Sequence, residues 1–183
     1  MRVLERGWVS SNNILLFDGD DSATLIDTGY VAHSEQTLLL VRHALNGRQL
    51  TRIINTHLHS DHCGGNALLK KTLGPAVLIP PGHAEAVGRW DDAALGYSAC
   101  GQACDRFMHD ALIQPGERLM LAGDEWQAFA SPGHDPHSIV LWNSHDRTLI
   151  SADALWQHGF GAIFPEVEGQ SGFAEQRAIL ELI

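Results

Sequence analysis

The most informative stretch of the sequence is Thr56-His57-Leu58-His59-Ser60-Asp61-His62, in which three histidines and one aspartate fall within six residues. Imidazole and carboxylate groups are common metal ligands. In an extended segment, side chains alternate between two sides with a period of two, so His57 and His59 project to the same side. The spacing therefore predicts that these two imidazoles bind one metal ion.

Asp61 and His62 lie where the chain is expected to turn into a helix, and their position predicts a second metal ion beside the first. Gly64-Gly65 permit the tight turn that this entry requires. The preceding run, from Leu50 to Asn55, is typical of a strand buried inside a sheet. Because α/β sheets usually place their sites at the carboxyl ends of strands, a metal site is expected at this strand end.

Outward from this motif, the sequence alternates strand patterns with helix patterns. Apolar runs with period two are bounded by turn residues, and stretches with helical spacing end at glycine or proline. This order predicts an α/β layered domain. The predicted strands cover 13–17, 23–27, 50–55, 76–79, 119–121, 126–130, 138–142 and 148–151, and the predicted helices cover 32–45, 66–73 and 173–183.

Length and charge narrow the class of protein. The 183 residues predict a single domain, 1–183. The formal charge is -10, and lysine occurs only at Lys70 and Lys71, so no nucleic-acid partner is expected. No apolar run approaches the roughly 20 residues that span a bilayer, and residues 1–8 lack the apolar core of a signal peptide. We therefore expect no membrane association and a cytoplasmic location.

The run from His57 to His62 resembles the HxHxDH motif of the metallo-β-lactamase-fold hydrolases. Three further segments resemble motifs of that family, in the same order along almost the whole chain. They are Leu25-Ile26-Asp27-Thr28-Gly29, Ser131-Pro132-Gly133-His134 and Leu149-Ile150-Ser151-Ala152-Asp153-Ala154-Leu155. The resemblance implies an α/β fold, the metallo-β-lactamase-like four-layer αββα sandwich, with the site at one edge of the paired sheets.

The resemblance also implies a binuclear centre with two divalent metal ions. Zinc is the first expectation, and iron or manganese also suit imidazole and carboxylate ligands. Asp27 is implied to lie behind the segment from His57 to His62, called the metal loop, and to fix a ligand histidine or the loop itself. Asp61 is implied to orient the nucleophile and to move its proton. The implied ligands are His57, His59 and His134 for the first ion, Asp61 and His62 for the second, and Asp153 between the two.

Two features set this chain apart within the family. Relatives normally supply a final histidine to the second metal from a strand after the last helix, whereas this chain ends at Ile183 inside the predicted helix. We therefore expect a chain truncated before the last motif, with the C-terminal strand and helix missing. Asp153, together with His62, favours the glyoxalase II and lactonase branches over the β-lactamases.

Other residues are weaker site candidates. Residues 83–118 are expected to form one or two short helices over a cleft, and His137 and His158 are candidates for the cleft itself. Cys63 is expected to pack under the metal loop rather than to bind metal as a thiolate. Cys100 and Cys104 lie one helical turn apart and are expected to form a small buried pair on one helix face.

These patterns leave three hypotheses for function. The first is a metal-dependent hydrolase in which a metal-bridging hydroxide attacks a small ester, thioester or lactone. The second is an iron-dependent redox or dioxygenase enzyme acting on sulfur compounds with the same fold. The third is a metal-binding but weakly active fragment, or a non-enzymatic relative. Both enzymatic hypotheses imply a small-molecule substrate, and the sequence does not indicate an oligomeric state.

Overall fold

Two β-sheets and seven α-helices are formed by the residues that the computed structural model describes, namely 1–7, 9–167 and 169–183. The strands are β1 (Arg2–Leu4), β2 (Asn13–Asp18), β3 (Ser22–Ile26), β4 (Gln49–Ile54), β5 (Ala76–Ile79), β6 (Ala111–Leu112), β7 (Arg118–Leu121), β8 (Asp124–Ala130), β9 (Ile139–Asn143) and β10 (Thr148–Ile150). The helices are α1 (Ser34–Leu45), α2 (Ser60–Cys63), α3 (Asn66–Leu73), α4 (Ala84–Arg89), α5 (Asp92–Leu95), α6 (Phe164–Val167) and α7 (Phe173–Leu182). One sheet has the strand order β1-β2-β3-β4-β5-β6, and the other has the order β10-β9-β8-β7.

The first sheet follows from the predicted alternation of strands and helices. β2 and β3 form an antiparallel hairpin around Gly19, which has a φ of 71° that glycine adopts without strain. β3, β4 and β5 pair in parallel, because α1 and α3 return the chain between successive strands. Both helices end at residues with left-handed backbone, Asn46 and Gly74, as helix C-caps commonly do.

Neighbouring residues of the first sheet belong to two different cores, because side chains alternate along a strand. Leu15 and Leu25 pack on the side of α1 and α3, in a core that includes Val41. Leu16 and Ile26 pack instead between the two sheets, in a core with residues of β7, β8 and β9. The first sheet is therefore buried on both faces, which explains its nearly continuous apolar runs.

Helix α7 forms the fourth layer. Its Ile179 is buried against Val140 of β9 and Ala154, on the outer face of the second sheet. The layers are thus helix, sheet, sheet and helix, and the predicted αββα sandwich is confirmed. None of the helices that the structure describes combines the length and the apolar character needed to cross a bilayer.

Residues 83–118 contain α4 and α5, followed by irregular chain and the two-residue strand β6, which was not predicted. Tyr97 and Phe107 are buried in the core beside α1 and α3, and Trp90 packs edge-on against Phe107 with the ring centroids 5.6 Å apart. The aromatic side chains of this segment therefore anchor it to the core.

The predicted pairing of Cys100 with Cys104 is wrong. Residues 96–110 are all described and form no helix, because Gly96 and Gly101 adopt left-handed backbone that interrupts helical geometry. Cys100 is exposed, whereas the Cys104 thiol lies 3.8 Å from the thiol of Cys63. Cys63 itself is buried and directed towards the carbonyl of Leu58, so its side chain packs beneath the metal loop.

Candidate metal centre

The side chains that the sequence singles out converge at the ends of strands. His57 and His59 lie in the loop between β4 and α2, His134 follows β8, and Asp153 follows β10. The loop after β4 is joined to the start of β9 in the second sheet by a backbone hydrogen bond in which the N–H of Ile139 donates to the carbonyl of Thr56 at 2.9 Å. The fold therefore brings residues far apart in sequence to one edge of the sandwich.

Three imidazoles face one another in the first part of the cluster. Nδ1 of His59 lies 3.1 Å from Nε2 of His57 and 2.8 Å from Nε2 of His134. One nitrogen of each ring lies within 4.8 Å of the others, so a single ion could contact all three. A zinc ion held by three imidazoles would have room for a water or substrate ligand, which is the pattern of catalytic rather than structural zinc sites.

A second group of ligand atoms shares His57 with the first and adds His62 and Asp153. Nε2 of His62 is buried and has no hydrogen-bond partner in the part of the chain that the structure describes, and it lies 3.4 Å from Oδ1 of Asp153 and 3.6 Å from Oδ2 of Asp61. The other carboxylate oxygen of Asp153 lies 3.2 Å from Nε2 of His134. Asp153 therefore spans both groups, and Asp61 lies beside the second.

Burial keeps the three imidazoles of the first group neutral. Burial, together with the neighbouring histidines, holds the pKa of His57 well below its usual value. Burial and His134 lower the pKa of His59 to about 4, and burial lowers the pKa of His134. Neutral imidazole is the form that binds metal, so the protein holds these rings ready as ligands.

Acid should destabilise the metal-free protein through these three histidines. The pKa values of these histidines are lower in the folded state than in the unfolded state, so below pH 6.5 the unfolded chain binds more protons than the folded chain. The free energy of unfolding therefore decreases as the pH is lowered. His62, whose folded pKa is raised, has the opposite sign near pH 6.5, and its contribution is fully present and constant at lower pH. His59 alone should account for a loss of about 2 kcal/mol between pH 6.5 and about pH 5.

Urea unfolding of chelator-treated protein across this range tests the expectation. The His59→Gln variant is the matched comparison, because it removes one titrating ring and should have a shallower dependence on pH. A free energy of unfolding that stays constant or rises towards pH 5 would contradict the expectation.

Asp27 lies behind the metal loop, at the end of β3. Its carboxylate accepts hydrogen bonds from the backbone N–H of Thr56 at 2.9 Å and from the hydroxyl of Thr56 at 2.8 Å, and it contacts Nδ1 of His62 at 2.7 Å. Burial lowers the pKa of His62, but Asp27 and Asp153 outweigh burial and raise that pKa well above its usual value. Asp27 thus fixes both the loop and the orientation of His62, with Nε2 directed at the cluster.

Three residues that the sequence did not single out support His134 and Asp153. Gly161 lies against the His134 ring, so a Cβ at this position would collide with the ring and with the Asp153 side chain. The adjacent carbonyl of Ala162 accepts a hydrogen bond from Nδ1 of His134 at 2.6 Å, which leaves Nε2 of that ring free for the cluster. The indole N–H of Trp156 donates to Oδ1 of Asp153 at 3.1 Å. In the sequence, the available signal for this contact was the presence of glycine at position 161. A glycine alone does not indicate that its neighbour in the fold is His134.

A cavity of about 1090 Å³ opens onto the cluster. His137 lies on its wall, stacked edge-on against His83 with the ring centroids 4.6 Å apart. His158 is exposed and is not among the described residues that line the cavity. Residues 93–97 of the segment after α4 also line it, including the buried Tyr97. The volume and the mixed lining suit a small organic molecule.

The donor set fits a divalent metal ion. Four carboxylates, those of Asp27, Asp61, Asp135 and Asp153, line the cavity, and among the described residues the basic side chains within 4 Å of them are histidines rather than lysine or arginine. Asp27 and Asp135 are buried and the other two are half-buried, and carboxylates removed from water need compensating positive charge. A cation between the imidazoles would supply this charge and would give the unpartnered Nε2 of His62 a ligand role.

Comparison with known proteins places these features in a family. The model of the Metallo-beta-lactamase superfamily matches residues 6–181. The hydroxyacylglutathione hydrolase of Methylococcus capsulatus is 30% identical over 133 residues, which cover 71% of this chain and 41% of that protein. The protein of the same name from Rhodopseudomonas palustris is 26% identical over 150 residues, covering 82% of this chain and 50% of that protein.

A solved structure shows the same fold. The native FEZ-1 metallo-beta-lactamase from Legionella gormanii superposes with a TM-score of 0.72 and covers 96% of this chain and 70% of its own. Its sequence identity is 14%, so the likeness concerns the fold alone. The chain spans about two fifths to one half of the length of the two curated relatives.

Proposed function

Because this chain belongs to the metallo-beta-lactamase superfamily, we propose that it is a metal-dependent hydrolase of small esters, thioesters or lactones. The resemblance drawn from the four sequence motifs, including the relationship to glyoxalase II, is confirmed by the family match and the curated relatives. The proposal itself concerns the activity, the metal and the substrate.

The observation that carries the proposal is the convergence of neutral imidazoles on one centre, with the Asp153 carboxylate spanning two ligand groups. His57, His59 and His134 would hold one ion, and Asp61 and His62 the second, with Asp153 between them. Such ions, with zinc as the first candidate, supply Lewis acidity at an acyl oxygen and lower the pKa of water towards neutrality.

The side chains of this chain have separate tasks in that reaction. Asp61 lines the cavity and lies beside the second ligand group, so its carboxylate can orient the attacking water and accept its proton. The same carboxylic acid can then protonate the leaving group. Asp27 keeps His62 in place, and Trp156 does the same for Asp153. No serine or cysteine nucleophile is needed.

The acyl-thioester class is supported by the names of the curated relatives, since a hydroxyacylglutathione carries its acyl group on sulfur. The cavity of about 1090 Å³ has room for a small acyl compound next to the ligand atoms. Esters and lactones share the same electrophilic acyl carbon. The proposal includes a small-molecule substrate, no nucleic-acid or membrane partner, and a cytoplasmic location.

Removal of metal should abolish hydrolysis. Purified protein is expected to contain zinc, iron or manganese in stoichiometric amount by elemental analysis, and to hydrolyse at least one of a panel of acyl thioesters, esters and lactones. Treatment with a chelator should lower kcat/KM at least about 100-fold, because the protein then lacks the Lewis acid and the activated water. Addition of zinc should restore the rate.

Two results would contradict the proposal. One is a protein that binds no divalent metal at stoichiometric level. The other is activity confined to the iron form, with oxygen consumed in the presence of a persulfide, which would favour the redox hypothesis instead.

A further inference from the structure

Asp135 directly follows the candidate ligand His134 and is almost completely buried, with 3% of its surface exposed. Its Oδ1 accepts a hydrogen bond from the backbone N–H of His137 at 2.6 Å, as in an ordinary turn. Its Oδ2 is not used in this turn and lies 3.6 Å from Nε2 of His59. Among the described residues, the basic side chain within 4 Å of this carboxylate is the neutral imidazole of His59, and no lysine or arginine takes that place.

The two nitrogens of His59 face in different directions. Nδ1 lies against Nε2 of His57 and Nε2 of His134, at 3.1 Å and 2.8 Å, and so points into the cluster. Nε2 faces Asp135. Phe164 packs against the same ring with the centroids 4.4 Å apart, which restricts its rotation. A proton on Nε2 would lie towards the negative charge and would leave the lone pair of Nδ1 directed at the cluster.

We propose that Asp135 is a positioning residue whose carboxylate keeps the proton of His59 on Nε2 and thereby presents Nδ1 as a metal ligand. This inference rests on the metal binding put forward under the proposed function. Carboxylates that face the outer nitrogen of a ligand histidine fix its tautomer and increase its basicity, and their removal typically lowers metal affinity 10–100-fold.

A turn residue elsewhere in the chain shows that turn formation alone does not explain Asp135. Asp146 accepts a hydrogen bond from the N–H two residues later, that of Thr148, at 3.1 Å, just as Asp135 does from His137. Asp146 is exposed, however, whereas Asp135 is buried with its second oxygen facing an imidazole. Asp146 is therefore a matched control, since asparagine at either position retains an oxygen for the turn.

The experiment compares zinc affinity in the wild type, D135N and D146N by competition with a chromophoric chelator. D135N should bind zinc 10–100-fold more weakly than the wild type, and D146N should match the wild type within about twofold. Combining D135N with His59→Ala should cause no further loss beyond that of His59→Ala alone, because Asp135 acts through His59. Thermal unfolding of the metal-free forms shows whether each variant is folded.

Three results would overturn the inference. D135N could bind zinc as tightly as the wild type, or it could weaken binding equally when His59 is already absent. The third uses no substitution: ¹⁵N NMR of the metal-free wild type above pH 6.5 would show the His59 proton on Nδ1 rather than on Nε2. A wild-type protein that binds no zinc, iron or manganese would instead overturn the proposed function, so the two failures are distinguishable.

Discussion

Replacement of His57 by alanine is expected to lower kcat/KM for acyl hydrolysis about 1000-fold or more, equivalent to about 4 kcal/mol of transition-state stabilisation. His57 is a proposed ligand of the first ion, and its ring also lies among the ligand atoms of the second group, so its loss removes one ligand and alters the surroundings of the other site. The variant should also retain less than one zinc ion per chain. Elemental analysis and steady-state kinetics measure both effects.

His43→Ala is the control for this variant, because His43 is exposed on α1 and is among neither the described residues that line the cavity nor the candidate ligand groups. It should keep the metal content and the activity of the wild type. Circular dichroism of the metal-free proteins separates loss of the fold from loss of a ligand. Wild-type activity in His57→Ala would show that the imidazole cluster does not carry the reaction.

Replacement of Asp27 by alanine is expected to destabilise the metal-free protein by about 3–5 kcal/mol at pH 7, because the buried His62, whose pKa is raised, loses its nearest carboxylate and keeps the longer contacts with Asp153 and Asp61. The two donors of Thr56 lose their acceptor as well. Asp27 also has a φ of 55°, and alanine tolerates this left-handed backbone less well than aspartate or asparagine. Such a loss is a large share of the 5–15 kcal/mol that typical domains have.

The dependence on pH distinguishes the ion pair from simple packing. The pKa of His62 is raised in the folded state, so its contribution is fully present below pH 6.5 and is lost as pH rises through the folded pKa. The difference in stability between the wild type and Asp27→Ala should therefore narrow in alkaline solution. Urea unfolding at several pH values measures this difference.

Two further variants serve as comparisons for the loss of stability in Asp27→Ala. Asp27→Asn keeps the shape and the left-handed backbone but lacks the charge, so its loss of stability should be intermediate. Asp20→Ala, at the exposed hairpin turn, should change stability by no more than about 0.5 kcal/mol. An Asp27→Ala protein within about 1 kcal/mol of the wild type would show that the contacts with Thr56 and His62 contribute little.

Much of the fold could be predicted because its strands and helices have clear periodic patterns. The alternation of Leu15 with Leu16, and of Leu25 with Ile26, places adjacent residues in two cores, and the sequence shows this as short apolar runs. The strands β1 and β6 were missed because they have three and two residues and no turn signal pairs them with a neighbouring strand, whereas the equally short β10 follows β9 across the turn at 143–146.

The cysteines show where local spacing misleads. A separation of four residues placed Cys100 and Cys104 on one helix face, but left-handed glycines at 96 and 101 prevent that helix. The contact between Cys63 and Cys104 joins residues 41 positions apart, and no local pattern predicts it.

The sequence by itself determined the residue types of the candidate ligands, the grouping of His57 with His59 and the family to which the chain belongs, because these depend on residue identity and on the geometry of short segments. Only the tertiary structure decided that His57 is shared between two ligand groups, that Gly161 leaves room for His134, and that Asp135 faces His59. These contacts are made between residues that are far apart in the sequence. The distances between the contacting atoms are set by the packing of the sandwich, and the spacing of residues along the chain does not predict them.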